Sequence, residues 1–451
     1  MTAEVIPLPE RPTTVRWTVL TLACGSSWLL YFHRYVFALI KPELAQEWDL
    51  DTNTLGLLDA TFFAGYTFPQ LPLGVLGDLA GVRIVLPAMI LVWSIGLALH
   101  ALAPSTAVLH VARGMLGVGQ SGAFASLSRV TKTWFRPTIR SKVQGLIGVF
   151  FARSGGLSAY LLFGPVLVAL LGDWRSAVYL LASIGIVQSI LFFVLFRNSP
   201  HQHAGVNSAE ALLIEGDEPP PELCRDEMPK KPTYKELFRR MSPRSILNVA
   251  ALNVQSILST IADNMYSNWI PLFLAQVYGF NTKQLWLSAL PLLGGAIGGV
   301  VGGWLNDHFI ARTGNRRWSR TCVALIGKGL AAITLLVALL TAYDKPYWFC
   351  GMLFFVKLFG DWSLTTSWGV VTDIGGKATA SVFAFNNSVA GIGAMLAASL
   401  YGFLVKYYNN DWTVMFKIAC ATYALCALSW LFINCTIPIV GDDCDETGQV
   451  P

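Results

Sequence analysis

The chain has 451 residues, of which 54% are hydrophobic and only 13% charged, with a mean hydropathy of +0.53 and a formal charge of +5. Soluble domains carry about 25% charged residues, so this composition excludes an ordinary soluble enzyme and predicts a membrane protein. The small positive surplus is spread over loops, which reads as an orientation signal rather than a nucleic-acid footprint.

The first residues, 1–16, are polar and hold Pro7, Pro9 and Pro12. That pattern is not a cleaved signal peptide, so the first span is expected to insert uncleaved. A membrane helix needs about 20 mostly apolar residues. On that measure spans 1 to 6 fall near 17–40, 54–77, 82–103, 107–134, 142–171 and 176–197. Spans 7 to 12 fall near 245–275, 283–305, 320–342, 347–371, 379–406 and 413–436. The expected organisation is a tail (1–16), a six-helix bundle (17–197), a polar linker (198–244) containing Pro219–Pro221, a second six-helix bundle (245–436) and an acidic tail (437–451). The eight cysteines, at 24, 224, 322, 350, 420, 426, 435 and 444, show no metal-ligand spacing and read as small buried hydrophobes.

Lys and Arg accumulate in cytoplasmic loops. The loops after spans 2, 4, 8 and 10 hold Arg83; Arg129, Lys132, Arg136, Arg140 and Lys142; Arg312, Arg316, Arg317 and Arg320; and Lys377. The opposite loops hold one each: Lys41, Arg175, Lys283, Lys345 and Lys406. This asymmetry predicts a multi-pass protein with both termini cytoplasmic, in the cell membrane, which is the inner membrane in a bacterium.

The halves echo one another. Span 2 ends in Gly74-Val-Leu-Gly-Asp78 and span 8 in Gly303-Trp-Leu-Asn-Asp307, each followed by arginine, Arg83 in the first case. Gly permits close helix contact, and an Asp beside a basic loop can make a breakable charge contact. Two such matches at corresponding positions predict the internal repeat of a secondary transporter, with Gly74, Asp78, Arg83, Gly303 and Asp307 as gating candidates.

These residues resemble the major facilitator superfamily over all twelve spans. Three stretches are similar to its anion:cation symporter family: Arg113-Gly-Met-Leu-Gly-Val-Gly-Gln120, the run Arg197-Asn-Ser-Pro-His-Gln-His203 continuing to Glu210 and Ile214, and Asp373-Ile-Gly-Gly-Lys377 followed by Asn387. The resemblance implies an all-α membrane protein of 12 transmembrane helices, arranged as two pseudo-symmetric six-helix bundles around a midplane site. It also implies cargo among sugar acids, other organic anions or phosphate, commonly with H+ or Na+. Related phosphate-ester antiporters share the Tyr-x-x-Arg arrangement of Tyr31 and Arg34. Relatives carry an acidic residue just before the span-1 arginine and a glutamate seven residues after the span-4 arginine, where this chain has His33 and Gln120. A later family asparagine is Gly391 here.

The central candidate is Arg34. An arginine at the centre of a membrane helix costs about 2.5–3.5 kcal/mol on insertion scales, so it normally faces a bundle interior with a partner, often a substrate. Tyr31 lies one turn earlier on the same face. The competing reading is an arginine that salt-bridges a neighbouring helix. Within the spans five cations, Arg34, Arg113, Arg153, Lys328 and Lys357, face three carboxylates, Asp59, Asp263 and Asp361. A bundle interior with that surplus has reason to bind an anion. Lys357 and Asp361, spaced i, i+4, can pair locally. By the resemblance Arg113 faces the same cavity as Arg34; its alternative is an anchor near a helix end. Tyr31, Tyr66, Gln120, Tyr266, Trp368 and Asn387 are the polar and aromatic candidates for orienting a substrate. His33, Asp59, Asp263 and Asp361 are the ion-coupling candidates, with packing as the alternative role for His33.

The expected function is secondary transport of a small organic anion, a sugar acid or similar carboxylate, by alternating access. With His33 and Gln120 at the usual carboxylate positions the family's proton route does not carry over, and cation coupling through another residue and uncoupled transport both stay open. Alternatives are an organophosphate or anion exchanger, a uniporter, or a transporter-like anion sensor. The expected partners are the anion, H+ or Na+ and the bilayer, with a monomeric protein. No catalytic constellation, cofactor, metal or nucleic-acid partner is expected. The glycine runs of span 8 lack a following Lys-Ser/Thr and a preceding strand, so they read as helix packing rather than phosphate loops.

Overall fold

The computed structural model describes residues 11–215, 241–375 and 379–437. Most of the expected linker, Lys377 and the acidic tail, like the Asp78 side chain, lie outside the described residues. Among the described residues every regular element is helical. Eight helices are long and apolar enough to cross a membrane: Val82–Leu102, Thr138–Leu171, Trp174–Leu195, Pro243–Asn268, Leu285–Thr313, Arg316–Thr341, Val382–Tyr407 and Thr413–Phe432. They occupy spans 3, 5, 6, 7, 8, 9, 11 and 12.

The other four spans are charged or interrupted. Span 1 is one helix, Val15–Glu47, with Arg34 and Lys41 inside it. Span 2 is split into Thr52–Thr67 and Gln70–Ala80, since Pro69 lacks the N–H a continuous helix needs. Span 4 breaks at Gly122, between Thr106–Ser121 and Ala123–Trp134. Span 10 breaks at Asp361, between Pro346–Gly360 and Trp362–Gly375. Span 7 is also interrupted, at Trp269, before Ile270–Tyr278. Broken helices at membrane depth are tolerated where the backbone is buried in protein or lines a cavity, and these spans carry most of the candidate polar residues.

The chain divides into two compact units. One gathers the described residues of Met1–Arg34, Phe68–Ala159 and Arg175–Lys230; the other gathers those of Tyr35–Thr67, Tyr160–Trp174 and Lys231–Pro451. In the first, glycines bring backbones together. A Cβ on Gly155 of span 5 would lie 2.1 Å from the Trp28 carbonyl oxygen of span 1, and one on Gly119 of span 4 would lie 2.6 Å from the Trp93 nitrogen of span 3. The start of the linker belongs to this unit. Its helix Ser208–Glu215 buries Glu210 completely. That carboxylate accepts the backbone N–H groups of Val15 (3.2 Å) and Arg16 (3.1 Å) and the Thr13 hydroxyl. The first N–H groups of a helix lack internal partners and carry its positive dipole end, so Glu210 caps span 1.

In the second unit the glycines of span 8 form a stripe against span 10. A Cβ on Gly294, Gly298 or Gly302 would lie 2.1 Å from Phe354 O, 2.1 Å from Leu358 O and 2.4 Å from Trp362 Cα, which is the close helix packing expected of them. Gly56 of span 2 meets span 11 in the same way, 2.6 Å from Ala398 O. An apolar core of Val249, Leu252, Val370, Ile374, Trp430 and Ile433 ties spans 7, 10 and 12 together.

Candidate functional site

In the first unit Arg34 is half-buried on span 1. Its Nε donates to Gln120 Oε1 at 3.0 Å, and its guanidinium carbon lies 4.9 Å from the centre of the Tyr31 ring. Gln120 is fully buried, and its Nε2 donates to the Leu30 carbonyl at 2.9 Å. That bond fixes the amide so that its oxygen, not its nitrogen, meets the arginine. Tyr31 packs edge-on against Phe124 of span 4 at 6.1 Å. The structure therefore unites three predicted residues, Tyr31, Arg34 and Gln120, around one guanidinium. Both contacts orient the group.

Arg113 is almost fully buried on Thr106–Ser121, two helical turns before Gln120 and so on the same face. His100 and His110 lie within its electrostatic reach. His33 is fully buried, its Cε1 2.8 Å from where a Cβ on Gly185 of span 6 would sit. Its ring packs between spans 1 and 6.

The second unit holds the three in-span carboxylates. Asp59 forms a completely buried ion pair with Lys41. Lys41 also donates to the Asn268 carbonyl at 2.7 Å and lies 4.5 Å from the Trp269 ring centre. Lys41 is thus no loop residue, as its sequence position beyond 40 implied. The span-1 helix continues to Glu47, and Asp59 compensates the lysine inside the protein. Asp263, Asp361 and Lys357 also join. Lys357 Nζ lies 2.7 Å from Asp263 and 2.6 Å from Asp361. The i, i+4 pair forms as expected, but Asp263, 94 residues away, shares its lysine. Tyr423 donates to Asp263 at 3.0 Å and Ser259 at 3.4 Å, while Lys328 donates to Ser259 at 2.8 Å. Gly295 makes room, since a Cβ there would lie 2.4 Å from Asp361 Oδ2.

The expected orienting residues of this unit are dispersed. Tyr266 is fully buried with its ring 5.7 Å from Lys357 Nζ, so it supports the charge cluster instead of presenting a wall. Tyr66 is half-buried and stacks on Phe62 at 6.0 Å. Trp368 is exposed and packs edge-on against Phe383. Asn387 is exposed, and its neighbour Asn386 accepts a hydrogen bond from Ser256 at 2.9 Å.

Among the gating candidates, Gly74 faces Ala125 of span 4. Arg83 Nε donates to the Phe193 carbonyl at 3.3 Å, whereas Arg129 Nη1 reaches the Gly77 carbonyl at 3.3 Å. Gly303 lies against Thr365, and exposed Asp307 accepts from Asn306 at 3.5 Å. The ion pair at that end of the second unit is Arg320 with Asp373 at 2.7 Å, which sequence spacing did not signal.

A family model described as Major Facilitator Superfamily matches residues 23–319 and 286–438. Among curated proteins, the chain is 28% identical to "Probable sulfoacetate transporter SauU" of Cupriavidus necator, covering 96% of this chain and 97% of that protein. It is 24% identical to the "Hexuronate transporter" of Escherichia coli K12, covering 87% of each, and 24% identical to the "Probable L-galactonate transporter" of the same organism, covering 95% and 93%. Among solved structures, a bacterial homologue of the human lysosomal transporter Spinster, inward-facing and unoccupied, aligns with a TM-score of 0.70 over 93% of this chain and 95% of that one at 16% identity. With the family matched over nearly the whole length and a helical fold to go with it, the chain belongs to the Major Facilitator Superfamily, and is a multi-pass membrane transporter rather than an enzyme.

Proposed function

We propose that the protein is a secondary transporter moving a small organic anion by alternating access, with Arg34 gripping the anionic group. The observation that carries this is the arginine itself, held in a membrane helix against an amide oxygen and an aromatic ring. A planar guanidinium grips a carboxylate or sulfonate through two parallel N–H bonds. The relatives are named for sulfoacetate, hexuronate and galactonate, all acids on small polar bodies. Arg113 adds positive potential on the Gln120 face, and Tyr31 supplies a flat contact surface with a hydroxyl.

The reading is tested by uptake into proteoliposomes of labelled sulfoacetate, hexuronates, galactonate, simple carboxylates and phosphate esters. Each is offered with an inward pH gradient, with a sodium gradient, or with internal anion preloaded. Saturable uptake of at least one carboxylate or sulfonate is expected. Movement of none of them removes the reading, and uptake confined to phosphate esters replaces the substrate class.

A further inference from the structure

We propose that Asp263 binds the coupling proton, an inference that rests on the transport reading above. A proton carrier in a membrane bundle needs a titratable oxygen, access to water, and neighbours that register its change of charge. Three in-span carboxylates are candidates, and their surroundings differ. Asp59 is sealed, with no exposed side-chain surface, against Lys41. Asp361 is 7% exposed, whereas Asp263 is 32% exposed while its partner Lys357 is 8% exposed. Asp263 alone of the three combines an open side with a buried one.

The buried side is rich in charge and hydroxyl groups. Span 10 presents Lys357, shared with Asp361; span 12 presents the Tyr423 hydroxyl; and span 9 presents Lys328, which lies 5.1 Å from the Tyr423 ring centre and holds Ser259. Tyr266 on the same helix, Tyr401 on span 11 and Cys426 on span 12 lie within electrostatic reach. Two ammonium groups balance two carboxylates, so the cluster is neutral. A metal cation entering it would have to displace Lys357 from both carboxylates. A proton need only add to the Asp263 carboxylate from its exposed side. An O–H bond forms, Lys357 stays with Asp361, and the cluster gains one positive charge.

That step acts on a helix already interrupted nearby. Span 7 breaks at Trp269, where Lys41 of span 1 holds the Asn268 carbonyl and the indole ring. The Lys357 bond to Asp263 ties the segment before this break to span 10, and protonation weakens that tie. Arg34 lies seven residues before Lys41 on the same span-1 helix. By linkage, a proton that favours the anion-bound state is itself bound more tightly when the anion is present.

The test measures, for each variant, uptake with an inward proton gradient divided by uptake without one, using the best substrate of the panel. The wild type is expected to give a ratio of at least about five. Asp263→Asn is expected to give a ratio near one, and with it to lose substrate-induced proton entry read by an internal pH dye. A normal ratio in Asp263→Asn overturns the proposal, as does a wild-type ratio of one alongside clear anion flux. Absence of any flux removes the transport reading and this inference together, so the two failures are distinct. Tyr423→Phe serves where Asp263→Asn does not fold. It removes the hydroxyl that donates to the Asp263 carboxylate, so the pH midpoint of the ratio moves. An unmoved midpoint in that variant overturns the proposal.

Discussion

In the first unit Arg34 is oriented by the Gln120 amide and the Tyr31 ring, whereas in the second unit Lys41 pairs with Asp59, and Lys357 with both Asp263 and Asp361. The contrast separates two uses of charge inside a membrane protein. Neutral partners fix a cation's direction and leave its field for a ligand. Opposite charges cancel, hold helices together, and respond chiefly to a proton. An anion site and a coupling site therefore want different neighbours.

The contrast is most strongly tested at Lys41. Lys41→Ala leaves Asp59 buried without its cation, which costs about 3–5 kcal/mol, and thermal unfolding in detergent should fall by roughly 5–15 °C. The Lys41→Met/Asp59→Leu double variant should regain most of the loss. An unchanged melting point in Lys41→Ala would mean that the pair does not stabilise the second unit. Gly298→Ala comes next. Its new Cβ would lie 2.1 Å from the Leu358 carbonyl oxygen, while Gly299→Ala meets nothing within 4 Å. The first should lose about 1–3 kcal/mol and the second stay within about 0.5 kcal/mol, read by the same melts.

Converting the first unit to the chemistry of the second is the sharper experiment. Gln120→Glu sets a carboxylate against Arg34, where it competes with the substrate. Anion affinity at neutral pH should drop about tenfold, or 1.4 kcal/mol, and recover as pH falls and the glutamate is protonated. Binding that stays pH-independent would show that Gln120 does not control the arginine's charge. The smallest effect is expected at Asp51→Asn. Partial burial raises the Asp51 carboxyl, but the hydrogen bonds from Lys406 and Thr54 outweigh it and hold the group below the usual range. A depressed carboxyl stabilises the fold at neutral pH and loses that contribution as pH falls through its titration. Both side chains are substantially exposed, so solvent screening limits the effect to under about 1 kcal/mol. It should vanish in melts at pH low enough to protonate the carboxyl in the folded protein.

How much of this was legible in the sequence follows from the range of each interaction. Span positions, the glycine stripe and the Arg34–Tyr31 pair arise from spacings of three to about twenty residues, and composition and periodicity report those. The Lys357–Asp361 pair was readable for the same reason. Its third partner, Asp263, is not, because only the fold brings span 7 to span 10. Lys41 was misplaced because a ruler of apolar length ends span 1 at a charge, while the helix continues to Glu47 once Asp59 compensates that charge. The breaks at Gly122, Asp361 and Trp269 were also hidden, since tertiary packing settles them. Glu210 belongs to a family-like stretch of the sequence, and its capping of span 1 emerges only from the docked linker helix.

The central claim is that Arg34 grips the transported anion. The most direct measurement is equilibrium binding of the best panel substrate to purified wild-type protein and to Arg34→Ala in lipid nanodiscs, with equal melting behaviour confirming that both are folded. Removing one side of a desolvated charge contact costs about 2–5 kcal/mol, so affinity should fall at least about 30-fold, with Arg34→Lys in between. An Arg34→Ala protein that binds the anion as tightly as wild type would contradict the account and leave Arg34 a structural residue.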